Sequence, residues 1–230
     1  MRSTHVDADR VQTICFHGIG KPDRDLEPGE ERFWIDATVY SEIVSAMRQH
    51  PRRVDITFDD GNASDAEIGL PALLDGQLSA RFFIITDRID TRGSVSTTQL
   101  NELAGEGMTF GTHGASHRPW PALAEADLLD DELVSSRRRL ATVVGGTIDH
   151  AAMPQGLYNR AVLTTLRRHG FTRAYSVDEG WSNRRSWLRT RYSVIHSDTP
   201  ESITALLDNP NLTAPAAPVR AAKRLLKRWM

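Results

Sequence analysis

Short runs of β-branched and aromatic residues alternate with segments of helical periodicity along most of this sequence, and this alternation restricts the fold more than any other feature. Strands separated by helices in this way form parallel sheets that the helices cover. The predicted strands are 12–17, 54–59, 81–85, 109–113, 150–154, 172–177 and 188–195. The predicted helices are 38–49, 65–75, 97–105, 122–143, 159–169 and 200–208. We therefore predict a single-domain α/β fold, a distorted (β/α)7-8 barrel, which suits this many alternations better than a sandwich.

The size and composition agree with one substantial core. The chain has 230 residues, of which 40% are hydrophobic and 25% charged, as is typical of globular proteins. Its single cysteine, Cys15, excludes an internal disulfide, and the net charge of −2 does not suggest a nucleic-acid partner. The first twenty residues lack the apolar centre of a secretion signal, and no apolar stretch is long enough for a membrane span. We therefore expect a cytoplasmic protein.

The last twenty residues differ from the rest of the sequence. We assign residues 1–210 to the barrel and residues 211–230 to a linker and a short basic helix. Residues 213–218 read TAPAAP, which is typical of a semi-rigid linker. Residues 219–230 combine five basic side chains and no acidic ones with an apolar stripe of helical spacing. Such a helix either makes peripheral contact with an anionic membrane or packs its apolar stripe on the barrel, and both remain open.

Polar residues follow several of the predicted strands. Because the carboxyl ends of the strands meet at one mouth of a β/α barrel, side chains at these positions come together in space. The candidates are His17, Asp59, Asp60, His113, His117, the Pro154-Gln155-Gly156 turn, Asp178 and His196. This mouth is the predicted functional end of the barrel.

Two adjacent aspartates, Asp59 and Asp60, end a strand in the sequence TFDDG. Asp-Asp-Gly is also ordinary turn sequence, so turn formation alone is an alternative. Neighbouring carboxylates repel each other unless a cation or a division of roles relieves the repulsion. A bound metal ion would relieve it.

Two histidines, His113 and His117, lie four residues apart in the sequence HGASH. If this segment turns helically after its strand, both imidazoles lie on one face. A single histidine is more often an ordinary polar residue than a metal ligand. Two histidines combined with a carboxylate from another strand, however, form a typical metal site with one coordination position left open.

Together, the TFDDG and HGASH sequences resemble the first two motifs of the polysaccharide deacetylases, carbohydrate esterase family 4. The resemblance covers about residues 11–200. It implies a distorted β/α barrel with a divalent metal ion, most commonly Zn²⁺. It further implies that Asp60, His113 and His117 bind the metal and that Asp59 is the catalytic base. The backbone N–H of Gln155 would lie where the family stabilises the oxyanion.

The remaining family motifs match less closely. The catalytic acid of the family is a histidine that follows a late strand, which His196 matches loosely. In circularly permuted members that strand comes first, and His17 then resembles the acid. We favour His17 and keep His196 as the alternative, while Asp178 either resembles a further family residue or caps a strand end. Ala152 stands where the family often has an arginine, and Gly114 where it usually has serine or threonine.

The resemblance implies a metal-dependent hydrolase that removes acetyl groups from an N-acetylated or O-acetylated glycan, its substrate partner. A glycosidase fits less well, because adjacent aspartates do not easily straddle a glycosidic bond, which needs carboxylates about 5–9.5 Å apart. An iron oxygenase shares the ligand set but fits poorly with the alternating helices. A non-catalytic barrel that binds a carbohydrate or a protein and keeps a degenerate metal site stays open, because of Ala152 and Gly114.

Overall fold

Parallel strands and covering helices make up most of the molecule. The computed structural model describes residues 9–49 and 54–208. The strands are β1 (Arg10–Phe16), β2 (Gly18–Ile19), β3 (Trp34–Ile35), β4 (Val54–Phe58), β5 (Arg81–Ile84), β6 (Thr109–Thr112), β7 (His150–Ala152), β8 (Arg173–Ser176), β9 (Ser182–Asn183), β10 (Leu188–Thr190) and β11 (Tyr192–Ser193). The α-helices are α1 (Ala37–Gln49), α2 (Leu70–Asp75), α3 (Thr97–Gly105), α4 (Trp120–Glu125), α5 (Leu129–Val144), α6 (Arg160–Arg168) and α7 (Pro200–Asp208). Short 3-10 helices span Glu31–Phe33, Thr86–Arg88 and Pro154–Gly156, and a π-helix at Asp65–Gly69 leads into α2.

Eight strands form one path of parallel neighbours in the order β10-β8-β7-β6-β5-β4-β1-β11, and β9 pairs antiparallel with β1. Both ends of this path belong to one chain segment, because only Arg191 separates β10 from β11. The segment pairs with β8 before Arg191 and with β1 after it, so the sheet is a nearly closed barrel. The predicted α/β barrel is confirmed. One continuous strand over 188–195 is wrong, because the segment changes its pairing partner at Arg191.

The single helix predicted over 122–143 is wrong, because the structure has two helices there, α4 and α5. The chain turns at Asp127, whose φ is 54°, and the N–H of Leu128 donates to the carbonyl of Leu123. In one continuous helix, Leu123 and Leu129 would point about 120° apart, since each residue advances by about 100° and six residues separate them. The turn instead brings both side chains into the same apolar cluster.

The main apolar core lies between the outside of the barrel and the helices. Alternate residues of a strand point to opposite faces, so each strand contributes one apolar face to this layer. Its members include Ile14, Phe16, Ile56, Phe58, Phe82 and Ile84 from the strands, and Tyr40, Ile43, Met47, Ile203 and Leu207 from α1 and α7. Inside the barrel, Arg191 lies over the rings of Phe83 and Tyr175. The interior therefore accommodates a buried charge.

Residues 1–8, 50–53 and 209–230 lie outside the described residues. The predicted linker and basic helix at 211–230 fall in the last of these segments, so their membrane contact and the boundary at residue 210 stay predictions. Within the two described ranges, no helix has both the length and the apolar character that crossing a membrane requires.

Candidate active site

The carboxyl ends of the strands surround a cavity of about 730 Å³. His17 follows β1, Asp59 and Asp60 follow β4, and His113 follows β6. All four residues line the cavity together with His117. Parallel strands of one barrel end at the same mouth, which explains why residues distant in the sequence meet here.

Three of these residues direct acceptor atoms toward one another. Nε2 of His113 is 3.5 Å from Oδ1 of Asp60, and Nε2 of His117 is 3.6 Å from the same oxygen. Asp60 is only 4% exposed, and its Oδ1 has no hydrogen-bond partner among the described residues. A buried carboxylate oxygen without a partner is energetically costly, so this position favours a cation.

The other ring nitrogens decide which protons the two histidines carry. Nδ1 of His113 is 2.9 Å from the carbonyl oxygen of Ala152, which can only accept a hydrogen bond, so this nitrogen donates. Nδ1 of His117 is 3.0 Å from both carboxylate oxygens of Glu27 and also donates. Burial lowers the pKa of His113 to about 4, which keeps the ring neutral and leaves a lone pair on Nε2. A lone pair of His113 therefore faces Oδ1 of Asp60, and Nε2 of His117 faces the same oxygen.

A divalent cation fits this set of donor atoms. In a tetrahedral zinc site with ligands at about 2.0–2.1 Å, neighbouring ligand atoms are about 3.3–3.4 Å apart. The observed separations of 3.5 and 3.6 Å are close to this spacing. Ligand atoms of Asp60, His113 and His117 all lie within 4.8 Å of one another. Two imidazoles and one carboxylate leave a coordination position for water or substrate.

A tight turn separates the two adjacent aspartates. Asp60 and Gly61 both have left-handed backbones with φ of 76°, a conformation that aspartate tolerates better than most residues. The N–H of Asp59 donates to the carbonyl of Phe16, which continues the pairing of β4 with β1. The turn thus directs Asp60 to the histidines and leaves Asp59 at the end of the strand.

A buried arginine that the sequence analysis missed holds Asp59. Nη1 and Nη2 of Arg191 lie 2.5 and 2.6 Å from Oδ1 and Oδ2 of Asp59, and the two side chains are 0% and 2% exposed. Burial alone would raise the pKa of Asp59, but Arg191 and then His113 lower it below its ordinary value. Oδ2 of Asp59 is 3.8 Å from Nε2 of His113. Asp59 is therefore ionised beside the candidate ligands.

Asp59 thus has an arginine partner although residue 152 is alanine. The sequence LRTRYSVI does contain a signal, because Arg189 and Arg191 stand two positions apart within the predicted strand 188–195, a spacing that would place both on one face. Arg189 is also buried and pairs with Asp55 at 2.8 Å. Two buried arginines on one strand face indicate carboxylate partners in the barrel interior.

A second group of possible metal ligands is less suitable. Atoms of Cys15, His17 and Asp59 also lie within 4.8 Å of one another. Both oxygens of Asp59 are already bonded to Arg191, however, and burial raises the pKa of the Cys15 thiol so that it stays protonated. We assign no metal to this group.

Helix α5 holds the loop that carries the two histidines. Oε1 of Glu132 accepts the N–H groups of Ala115 and Ser116 at 2.8 and 2.9 Å. The loop after His113 is irregular, with φ of 85° at Gly114, so the two histidines do not share a helical face. A Cβ at position 114 would lie 2.7 Å from Oε1 of Glu132. The space that a serine or threonine would need there is therefore occupied.

The structure places the two candidate acids differently. His17 lines the cavity and stacks on Phe33, with ring centroids 4.7 Å apart and an angle of 21° between the rings. His196 is exposed, lies outside the cavity lining, and donates its backbone N–H to the carbonyl of Arg32. The geometry therefore brings His17, and not His196, to the aspartates.

The two remaining candidates also differ in position. Gln155 lines the cavity and has a left-handed backbone with φ of 56°. Asp178 accepts hydrogen bonds from the hydroxyl groups of Tyr158 at 2.6 Å and Ser176 at 2.9 Å, which fits a strand-end cap.

Over residues 46–174, the sequence matches the family model described as Polysaccharide deacetylase. The chain is also 22% identical over 129 residues to YxkH of Bacillus subtilis (strain 168), whose name assigns it to the polysaccharide deacetylases. This match covers 56% of the chain and 46% of YxkH. The chain thus matches about half the length of this relative.

Several solved structures share the fold. BC0361, a polysaccharide deacetylase from Bacillus cereus, superposes with a TM-score of 0.76 at 17% identity, over 86% of this chain and 69% of that one. IcaB from Ammonifex degensii gives a TM-score of 0.73 at 18% identity, over 87% and 98% of the two chains. The Streptococcus pyogenes deacetylase PplD in complex with acetate gives 0.72 at 17% identity, over 87% and 99%. At 17–18% sequence identity, these similarities show a shared fold.

Proposed function

This chain belongs to the polysaccharide deacetylase family, and from that premise we propose that it is a metal-dependent hydrolase that removes acetyl groups from an N-acetylated or O-acetylated glycan. One observation carries the proposal. Acceptor atoms of Asp60, His113 and His117 converge in a cavity beside the ionised carboxylate of Asp59. A divalent cation that acidifies water and a nearby base that takes its proton are together sufficient to hydrolyse an unactivated amide or ester.

The proposed ligands of one divalent cation are Asp60, His113 and His117. Imidazole and carboxylate groups in this combination suit Zn²⁺. When bound, such a cation would polarise the acetyl carbonyl and acidify the attacking water.

Asp59 is the proposed general base. Arg191 keeps its carboxylate ionised and fixes its orientation through two parallel hydrogen bonds. Each carboxylate oxygen retains a second lone pair, with which Asp59 accepts the proton of the attacking water. A carboxylate with a lowered pKa is a weak base, so this role depends on a cation that would acidify the attacking water.

Two further residues complete the proposed chemistry. The backbone N–H of Gln155 donates to the oxyanion that develops on the acetyl group. His17, whose ring is held by Phe33, donates a proton to the leaving amine or hydroxyl. His196 and Asp178 have no part in this proposal.

The proposed substrate is an acetylated glycan. A cavity of about 730 Å³ is larger than an acetyl group and leaves room for the sugar that carries it. The acetate in the structure of PplD supports an acetylated substrate for a chain of the same fold.

The non-catalytic alternative depended on Ala152 and Gly114, and both departures from the family pattern have a counterpart in the structure. Arg191 reaches Asp59 from another strand. Glu132 anchors the histidine loop directly next to Gly114. Neither departure therefore argues against catalysis.

Acetate release from a panel of acetylated glycans tests the proposal. With zinc-loaded protein we expect release that a chelator abolishes and added Zn²⁺ restores. Asp59→Asn should retain the metal and lose about 100-fold or more in turnover, because it removes only the base. Asp75→Asn, an exposed aspartate on α2, is the matched control and should remain active. A metal-loaded protein that releases no acetate from any N-acetylated or O-acetylated glycan would refute the proposal and favour the non-catalytic alternative.

A further inference from the structure

A polar loop between β2 and the 3-10 helix at Glu31–Phe33 lies against the candidate metal site. Arg24 of this loop forms an ion pair with Glu30 and donates from Nη2 to Oδ1 of Asn62 at 2.9 Å. Asn62 follows the aspartate pair by two residues. The loop is therefore tied to the turn that carries the candidate ligand Asp60.

Glu27, in the middle of this loop, contacts the candidate ligand His117. Both of its carboxylate oxygens lie 3.0 Å from Nδ1 of His117, and Arg88 forms an ion pair with the same carboxylate. The side chain of His117 is 11% exposed and that of Glu27 is 40% exposed. Arg88, Glu27 and His117 thus form a continuous chain of polar contacts from the surface to the metal site.

We propose that Glu27 is a positioning residue of the metal site, which sets the tautomer and the orientation of His117. The inference rests on the metal site of the proposed function. Because the carboxylate accepts the Nδ1 proton, the neutral ring carries its single proton there, and the unprotonated Nε2 faces Asp60. The negative charge of Glu27 also makes the ring a stronger electron donor toward a cation. Arg88 keeps the carboxylate in place.

The two histidines differ in how their rings are held, and His117 depends on a side chain. His113 directly follows a strand, and its Nδ1 donates to the backbone carbonyl of Ala152, a part of the rigid sheet. His117 lies in an irregular loop with φ of 61°, and the acceptor for its Nδ1 comes from the second loop. Glu27 therefore does for His117 what the sheet backbone does for His113.

The geometry also argues against Glu27 as a metal ligand itself. Its two oxygens face Nδ1 of His117, whereas the nitrogen that faces Asp60 is Nε2, on the other side of the ring. A carboxylate that accepts from the outer nitrogen of a ligating imidazole is a recurrent partner of metal sites.

Metal affinity, measured by competition with a chromophoric chelator, tests the inference. Glu27→Ala should weaken Zn²⁺ binding about 10–100-fold. Glu27→Gln should weaken it less, because the amide oxygen still accepts the Nδ1 proton but carries no charge. Glu31→Ala is the matched control, since Glu31 is a nearby exposed acidic residue, and it should bind as tightly as the wild type. Equal affinity in the wild type and Glu27→Ala, or an equal loss in Glu31→Ala, would overturn the inference.

The tautomer of His117 in the metal-free protein gives a second readout that does not depend on deacetylase activity. At about pH 8, where imidazole is neutral, nitrogen–proton correlation spectra should place the His117 proton on Nδ1 in the wild type. In Glu27→Ala, the Nε2-protonated form should gain population. A wild-type proton on Nε2, or the same tautomer in both proteins, contradicts the inference. The expected tautomers and affinities in a protein that releases no acetate would support it and refute the proposed function alone.

Discussion

Asp59 and Asp60 are neighbours in the chain but have different surroundings, and this difference separates their roles. Asp60 directs an oxygen that has no hydrogen-bond partner within 9–49 and 54–208 toward Nε2 of both histidines, an arrangement that suits a cation. Asp59 is already balanced by two donors of one guanidinium, so it stays ionised without joining the ligands. The repulsion expected between adjacent carboxylates is therefore relieved separately for each.

Replacing Arg191 tests how Asp59 is held. Arg191→Met leaves a buried, unpaired carboxylate and should lower the free energy of unfolding by about 3–5 kcal/mol. Adding Asp59→Asn should recover part of this loss, because the amide carries no charge. Urea unfolding of the wild type, both single variants and the double variant should give a coupling energy of about 1–3 kcal/mol. If the loss in free energy of unfolding of the double variant equals the sum of the losses in the two single variants, the ion pair does not stabilise Asp59.

At the residue scale, the sequence indicates the candidate ligands and the base, but it does not indicate the side chains that hold them in place. The two aspartates and the two histidines stand in two short motifs whose spacing is visible locally. Arg191, in contrast, is 132 positions from Asp59, and Glu27 is 90 positions from His117. The spacing of Arg189 and Arg191 indicates carboxylate partners but does not identify them, because only the closed barrel and the folded loop bring such pairs together.

Among the elements, β6 and α5 share the task of holding the histidine loop. Oγ1 of Thr112, the last residue of β6, accepts the N–H of Gly114 at 2.9 Å and donates to Ser136 of α5 at 2.8 Å. Glu132 of the same helix accepts two further N–H groups of the loop. A hydroxyl group of the strand and a carboxylate of the helix therefore hold the loop together.

Two glycines with similar backbones but different surroundings test this anchoring. Gly114 and Gly145 have φ of 85° and 64°, so alanine costs about 1–2 kcal/mol at either position. A Cβ at position 114 meets Glu132, whereas one at position 145 has nothing within 4 Å. Gly114→Ala should therefore lose more stability than Gly145→Ala and bind Zn²⁺ at least about tenfold more weakly. Denaturant titration and chelator competition measure both effects. Equal Zn²⁺ affinity in the two variants would show that the anchoring of the histidine loop by Glu132 does not affect metal binding.

The boundaries of a helix agree with the sequence prediction where a capping motif fixes its start. The predicted helix over 97–105 agrees with α3, because Ser96 and Gln99 form a capping box at its start. The breaks in 122–143 and 188–195 have neither glycine nor proline to mark them. Tertiary packing causes the first break and barrel closure the second, so neither is visible in a local pattern.

At the scale of the whole molecule, the barrel separates an apolar outer layer from a polar interior. The alternation of short strands and helices is enough to predict this architecture. Burial inside it also affects groups far from the candidate active site. His150 begins β7 near the opposite end of the barrel, and its Nδ1 lies 3.0 Å from the hydroxyl oxygen of Tyr175.

Buried histidines should make the stability of the metal-free protein depend on pH. Burial lowers the pKa of His113 from 6.5 to about 4, and burial together with Arg81 lowers the pKa of His150 from 6.5 to about 4. Between these values the unfolded chain binds protons that the folded chain does not. The contribution of each histidine to the free energy of unfolding should therefore fall by about 3 kcal/mol as the pH decreases from about 6.5 to about 4.

His150→Gln should reduce the loss in free energy of unfolding at low pH by the contribution of one histidine, because glutamine does not titrate. Urea titrations of the metal-free wild type and variant at several pH values across this range measure the difference. The same pH dependence in both proteins would show that His150 does not contribute.

Zinc content per chain, determined by mass spectrometry after loading and desalting, tests the central claim most directly. We predict one zinc ion per chain in the wild type and in Asp59→Asn. We predict almost none in Asp60→Asn and His113→Ala, because each change removes one of three protein ligands. A zinc content in Asp60→Asn and His113→Ala equal to that of the wild type would contradict the assignment of the site.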